Sequence, residues 1–429
     1  MTGKSGGVED LCVAEYPGPL GIHDPAQITN NIESDLIGKI ITGLTRGSGE
    51  MAAAGARRNP HDAVFAGTPE EVCRYFDQQE WSDGLPVVAP TVERIGQFLK
   101  FTDRAPDEAV AVLQSANLQA TPWNIAVNAV MAGCRPEHMP LIIAAVEALG
   151  DERCSLNNIG STSGIFPFVI INGPILDQLG IQSGAQLASR PPNPAIGRAI
   201  GLIVRNIAGF RPGSSYMGTF GYPLAFALAE RAAESPWEPF HVEQGYDRNA
   251  NTVTIGVTNN WGSSPAPYDR AGQSGAQIAL EMLAKEITKK TRLYNFPGRG
   301  PNAEKVMVTL LLSPPVARSL AAAGYSKQDV KQHLYENTRM SLREFDWISR
   351  FTSISGIIAR ERIEEGVFPG EFAGGPDDQV RILSGPDILH IVVCGDPHRN
   401  RLMVMEGGHT QPTTKAIALP RNWERLLKE

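Results

Sequence analysis

The stretch NAVMAGCRPEHMP, residues 128 to 140, sets a thiol, a guanidinium, a carboxylate and an imidazole within five positions, Cys134 to His138. A cysteine beside Arg135 and just ahead of a helix N-terminus sits where a thiolate is favoured, whereas the C-terminus of the preceding helix disfavours one. Two readings follow. In the first, Cys134 or Glu137 lines a site. In the second, Ala132, Gly133 and Cys134 form a tight helical corner, Glu137 caps the next helix and His138 faces solvent. A corner that borders a pocket reconciles the two.

Three polar loops add binding candidates. NNIGSTSG, residues 157 to 164, places Asn158, Ser161 and Thr162 ahead of an apolar strand, offering the free N–H groups and short donors that cradle a carboxylate or phosphate. It lacks a phosphate-loop lysine, and ordinary turn chemistry accounts for it equally well. NNWGSS, residues 259 to 264, follows a strand end and puts Asn260 where ligands of α/β sheets gather. VVCGDPHRNRLMVMEGGHTQP gathers Asp396, His398, Arg399, Asn400 and His409 beyond another strand. Asp396, His398 and His409 could ligate a metal, but their spacing matches no known signature, so a polar loop shaping a substrate or subunit interface is expected instead. Trp81 and Asp83, in the turn-forming WSDGLP, complete the candidate substrate contacts. With no G-x-S-x-G, H-E-x-x-H, G-x-G-x-x-G or P-loop, no nucleotide is implied and the cofactor stays unknown.

These residues need elements to hold them. TPEEVCRYFDQQEW reads as a helix with Thr68 as N-cap, Pro69 at the first position and Glu71 at the third. TVERIGQFLKFT starts at Thr91, TPWNIAVNAVMAG stops at Gly133, and RPEHMPLIIAAVEALG restarts near Pro136. AIGRAIGLIVRNIAGF, with its spaced glycines, reads as a helix pressed closely on a neighbour. GAQIALEMLAKEI, PPVARSLAAAGY and SKQDVKQHLYENT supply later helices, the last capped by Ser326. FPFVIING, TVTIGVT, EKVMVTLLLS and DILHIVVCG read as buried strands. Strands that are apolar throughout and alternate with helices imply an α/β fold of helix-covered sheets.

At 429 residues the chain exceeds the roughly 250 to 300 at which one core stops growing. The expected organisation is an N-terminal arm over residues 1 to 60, an α/β domain over 61 to 245 and a second over 246 to 429. In the arm, ITNNIESDLIGKIITGL reads as an amphipathic helix in need of a partner surface, and GSGEMAAAGARRNP as a linker. A net charge of -7 without basic runs argues against nucleic acid and against a membrane surface. No apolar stretch approaches a membrane span and the N-terminus lacks an apolar signal region, so a cytoplasmic protein is expected, with its five cysteines (12, 73, 134, 154, 394) reduced.

The runs GTPEEVCRYFDQQEWSDGLPVVAPT, AVNAVMAGCRPEHMP, GSTSG, INGPI, SPWEPFHVEQGY, SPPVARSLAAAGYSKQDVKQHLYE, VVCGDPHRN and GGHTQPTTKAI, taken in order, resemble the UGSC-motif (seleno)protein family, related to the B subunit of glycine, sarcosine and betaine reductases. The resemblance covers most of residues 10 to 425. It departs from the family in two places: Cys394 stands where a small residue is expected, and the signature U/C-Gly-Ser-Cys is absent. YPGPLGIHDPAQITNNIESDLIGKIITGLTRG resembles the tail of the motif-bearing part, so the chain is expected to correspond to the large C-terminal portion and to take its reactive thiol or selenol from a separate UGSC-like subunit in an oligomer. What the resemblance implies is reductive cleavage or lysis of a small organic substrate. Cys134 would resolve a mixed intermediate, Glu137 or His409 would move protons, and Ser161, Thr162 and Arg399 would hold an anionic group. Competing expectations are a non-redox hydrolase or lyase, with a pocket of Glu137 and the 157–164 and 396–409 loops, and a non-catalytic scaffold subunit.

Overall fold

A computed structural model describes residues 14–17, 23–45, 61–162, 164–219, 221, 225–264, 266–290, 307–351, 366, 368–406 and 411–428. The expected linker at 47–60, Cys12 and His409 lie outside them. The chain divides at Gly67 into two compact units.

In the first unit, Asp24 caps a helix by accepting from the Gln27 N–H at 2.8 Å, with Pro25 at its first position. The helix runs Pro25–Asn31, loosens through a π turn at Ile32–Leu36 and continues over Ile37–Thr45. This is the amphipathic helix expected from the sequence. None of its residues is buried, and Ile37, Ile40, Ile41 and Leu44 form an exposed apolar stripe.

In the second unit the elements that matter for the site are, in chain order, α1 (Pro69–Gln78), α2 (Val92–Leu99), α3 (Pro122–Met131), α4 (Met139–Leu149), β1 (Phe166–Asn172), α5 (Asn193–Asn206), β2 (Phe226–Glu230), β3 (Thr252–Thr258), α6 (Gly275–Lys290), β4 (Val308–Leu312), α7 (Pro314–Ala322), α8 (Lys327–Asn337), β5 (Leu389–Val393), β6 (Leu402–Glu406) and β7 (Thr413–Ala416). The helix starts agree with the sequence. Thr68 and Glu71 close a capping box, Thr91 and Thr121 cap α2 and α3, and Ser326 with Asp329 closes a box on α8.

One sheet has the order β7–β3–β1–β2, with β1 and β2 parallel and the other pairs antiparallel; the second has the order β6–β4–β5, with β4 and β5 parallel. Side-chain alternation then sets the layers. Val169, Ile171, Ala227, Ala229, Val253 and Ile255 face a core shared with α3, α4 and α5. Phe168, Ile170 and Leu228, on the opposite face, meet Leu311, Val392, Met403 and Met405 of the second sheet. Val308, Leu310, Ile391 and Val404 turn the other way, onto α6, α7 and α8. The layers therefore run helices, sheet, sheet, helices, which is an α/β fold with each sheet covered by helices on one side only. The boundary expected near residue 245 does not separate the sheets, because β3 beyond it pairs along its length with β1 before it. Among the described residues no helix is long and apolar enough to cross a membrane.

Candidate functional site

The thiol-bearing corner is a Schellman turn. α3 ends at Met131, Gly133 takes φ +82°, and the N–H groups of Gly133 and Cys134 donate to Val130 O at 2.9 Å and Ala129 O at 3.0 Å. The Arg135 guanidinium donates to Leu179 O at 2.9 Å and pairs with Glu137 at 2.9 Å. Half-buried Cys134 donates its S–H to Ala195 O at 3.2 Å, and burial pushes the thiol up in spite of nearby Arg198. Cys394 is buried, its thiol pushed up by burial and by Glu230 and Glu234.

His138 corrects the expectation that it faces solvent. It is 1% exposed, and its Nδ1 accepts the Arg135 N–H at 3.2 Å, which places the neutral ring's proton on Nε2. Burial, then the Arg135 charge, pulls its pKa down to about 3, and burial pulls His390 down to about 3 as well. Both folded values lie below the free value of about 6.5, so on acidification the unfolded chain takes up protons that the fold refuses. Stability is expected to fall as pH drops from about 6.5 towards 5, by up to about 1.4 kcal/mol per pH unit for each histidine. Urea midpoints across that window would read it; a flat profile would refute it, and His138→Gln should flatten it in part.

The 396–400 turn is closed on itself. Asp396 accepts the His398 N–H at 2.9 Å and pairs with Arg399 at 3.1 Å, while Asn400 donates to Pro267 O at 2.8 Å. The stretch taken as a loop through His409 is interrupted by β6, whose alternating faces both fill cores. Among the described residues no group of three or more His, Cys, Asp or Glu converges as a metal site.

The 157–164 loop packs on a second loop: Gly160 O accepts from Met217 N–H at 3.1 Å, and Thr162 O accepts from Thr219 N–H at 3.0 Å and its hydroxyl at 3.1 Å. Asn158 closes turns with Ser155 and Ser161, and the Ser161 Oγ is buried without a partner among the described residues. Where the two loops meet β1 and α5 a cleft of about 100 Å³ opens, lined by Asp83, Ile159, Phe166, Val204, Arg205 and Phe210 among others. Asp83 is thus brought to it, as is the 157–164 loop through Ile159; Glu137, Asp396 and Arg399 are not among its lining residues. Asn260 ties strand ends, donating to Glu406 O at 3.3 Å, but its neighbour Trp261 packs on Phe226 at 4.5 Å, which in turn meets the cleft residue Phe166 at 5.5 Å. Trp81 packs edge-on against Tyr75 and Phe76, and its carbonyl accepts from Asn206 at 2.9 Å. Its role is to seat α1 on the core.

The residues that sequence reading missed are arginines. Arg198 forks onto Asp83 with contacts of 2.9 and 2.8 Å, in a pair whose side chains are 15% and 13% exposed. Burial raises the Asp83 pKa, but the hydrogen bonds and charge of Arg198 outweigh it and leave the carboxyl below its ordinary value. Arg205 lies two turns further along α5, on the same face. The detectable signal was a pair of arginines seven apart in an otherwise apolar helix.

No known family's sequence model matches the chain, and neither a curated protein nor a solved structure is significantly similar to it.

Proposed function

We propose that the second unit holds a small organic substrate in the cleft beside Asp83 and Arg205, and that a UGSC-like partner subunit brings the reactive thiol or selenol for a reductive cleavage or lyase-type reaction. The observation carrying this reading is the state of three of the chain's own thiols, half-buried Cys134 and buried Cys154 and Cys394. Cys134 is engaged with Ala195 O, and burial pushes Cys134 and Cys394 up and Cys154 up to about 12. At neutral pH these groups are thiols rather than thiolates, and only the thiolate attacks. That none of these three is a ready nucleophile supports a thiol or selenol brought by another chain. The exposed stripe Ile37, Ile40, Ile41 and Leu44 is the natural contact for such a subunit, since apolar side chains at this spacing gain most when a partner covers them.

Purification from the native host tests the reading. A small co-purifying chain bearing Cys- or Sec-Gly-Ser-Cys is expected, and turnover by the isolated chain alone would sink it. Cys134→Ser keeps a donor to Ala195 O, so stability within about 1 kcal/mol and unchanged turnover of the complex are expected. Loss of turnover with an intact fold would return Cys134 to the reaction.

A further inference from the structure

We infer that the cleft is built for a short organic carboxylate, its oxygens taken by Arg205 and Arg211 and its apolar body laid against Ile159, Val204 and Phe210. The inference rests on the reading of the cleft as the substrate site and names the substrate's class.

Arg198 is satisfied by Asp83 and by Leu85 O at 3.1 Å. Arg205 is not. Its Nε donates to Glu80 O at 2.8 Å, and among the described residues its two terminal nitrogens meet no acceptor. Arg211 sits between the cleft residues Phe210 and Pro212, its backbone fixed by a 3.0 Å bond from its N–H to Ser215 Oγ and a 2.9 Å bond from Tyr216 N–H to its carbonyl. Its Nε is buried and has no partner among the described residues. The two guanidiniums are near enough that Arg211 adds to the effect of burial in lowering the Arg205 pKa, against the pull of the Glu80, Asp83 and Asp77 carboxylates.

Arg205, half-buried on the cleft wall with two terminal nitrogens that meet no acceptor among the described residues, and Arg211, with a buried and unpartnered Nε among them, leave donors that an anion would satisfy. The acidic neighbours do not fill that place. Asp83 is already neutralised by Arg198, and Glu80 and Asp77 are exposed, where water and salt screen them. A carboxylate suits paired guanidiniums because its two oxygens accept from planar forks. The walls choose among anions. Ile159, Val204 and Phe210 reward an apolar body, which inorganic phosphate lacks. The cleft, about 100 Å³, is smaller than the roughly 150 Å³ cavity that admits benzene, so that body is a few carbons long.

Calorimetric titration of the purified full chain with sodium butyrate, its neutral isostere butyramide and inorganic phosphate tests this. Saturable binding of butyrate is expected, with butyramide and phosphate weaker, and with Arg205→Gln and Arg211→Gln each costing about tenfold or more in affinity. Arg205→Lys should recover part of the loss. A merely structural arginine would destabilise on removal; Arg211→Gln is instead expected to hold or raise the melting temperature of the ligand-free chain, by removing an unpaired charge. Equal binding of butyramide, or butyrate affinity unchanged in both Gln variants, overturns the anion while leaving the cleft as a site. Phosphate binding more tightly than butyrate overturns the carboxylate. If neither butyrate nor butyramide binds, the cleft fails as the substrate site and the functional reading fails with it.

Discussion

Glu230→Ala is expected to cost about 3 kcal/mol or more and to lower the urea midpoint further than any cleft substitution. Glu230 closes β2 at 1% exposure, between the two sheets. Its Oε2 accepts from Asn172 Nδ2 at 3.0 Å and from Phe240 N–H at 2.6 Å, and its Oε1 accepts from Val393 N–H at 2.9 Å. One carboxylate therefore joins β1 and β2 of the first sheet, the turn at Phe240 and the end of β5 in the second. Truncation strands three buried donors, each costing about 1 to 3 kcal/mol, and leaves a void. Glu230→Gln keeps the volume but loses the charge and offers a single acceptor oxygen, so an intermediate loss is expected. An alanine variant within about 1 kcal/mol of the parent would show that the sheets are held by apolar packing alone.

What could be read ahead of the structure was local. The caps at Thr68, Thr91 and Ser326 are hydrogen bonds closed within one turn, so spacing alone reveals them. The strands β1, β4 and β5 announced themselves as apolar runs for a reason that also hid their packing. When both faces are apolar, sequence does not say which face meets helices and which meets the other sheet. FALAE of β2 is built from good helix formers and sits in its strand through pairing with β1, a tertiary effect that local preference does not report. The polar clusters misled in the opposite direction. Asp396, His398 and Arg399 are dense in sequence because they satisfy one another within a turn, and Glu137 is matched by Arg135. Arg205, from a helix, and the residues Phe210 and Pro212 that flank Arg211, from a loop, reach one cleft only through the fold.

Gly197→Ala is the second large effect expected, and it bears on that cleft. A Cβ at Gly197 would stand 2.5 Å from Phe226 Cα and 2.6 Å from Ala225 O, both backbone atoms at the start of β2. β2 is held by its ladder to β1, and α5 is anchored by buried Ile196, Ala199, Ile200 and Ile203, so neither side can retreat without disturbing the core. Alanine should gain about 1 kcal/mol of helix propensity, yet overpacking against fixed backbone costs about 1 to 3 kcal/mol, so a net loss is expected. Gly201→Ala, one turn along the same helix, separates the two contributions. Its nearest contact would be Ala225 N at 3.5 Å, an ordinary distance, so the propensity gain should stand and the melting temperature should hold or rise. Opposite shifts from the same substitution four residues apart would locate the close approach of α5 to β2 at Gly197. Because Arg198 and Arg205 ride on that helix, butyrate affinity should fall in the Gly197 variant even where it stays folded; equal melting temperatures for the two variants would mean that the helix stands further from the strand than 2.5 Å implies.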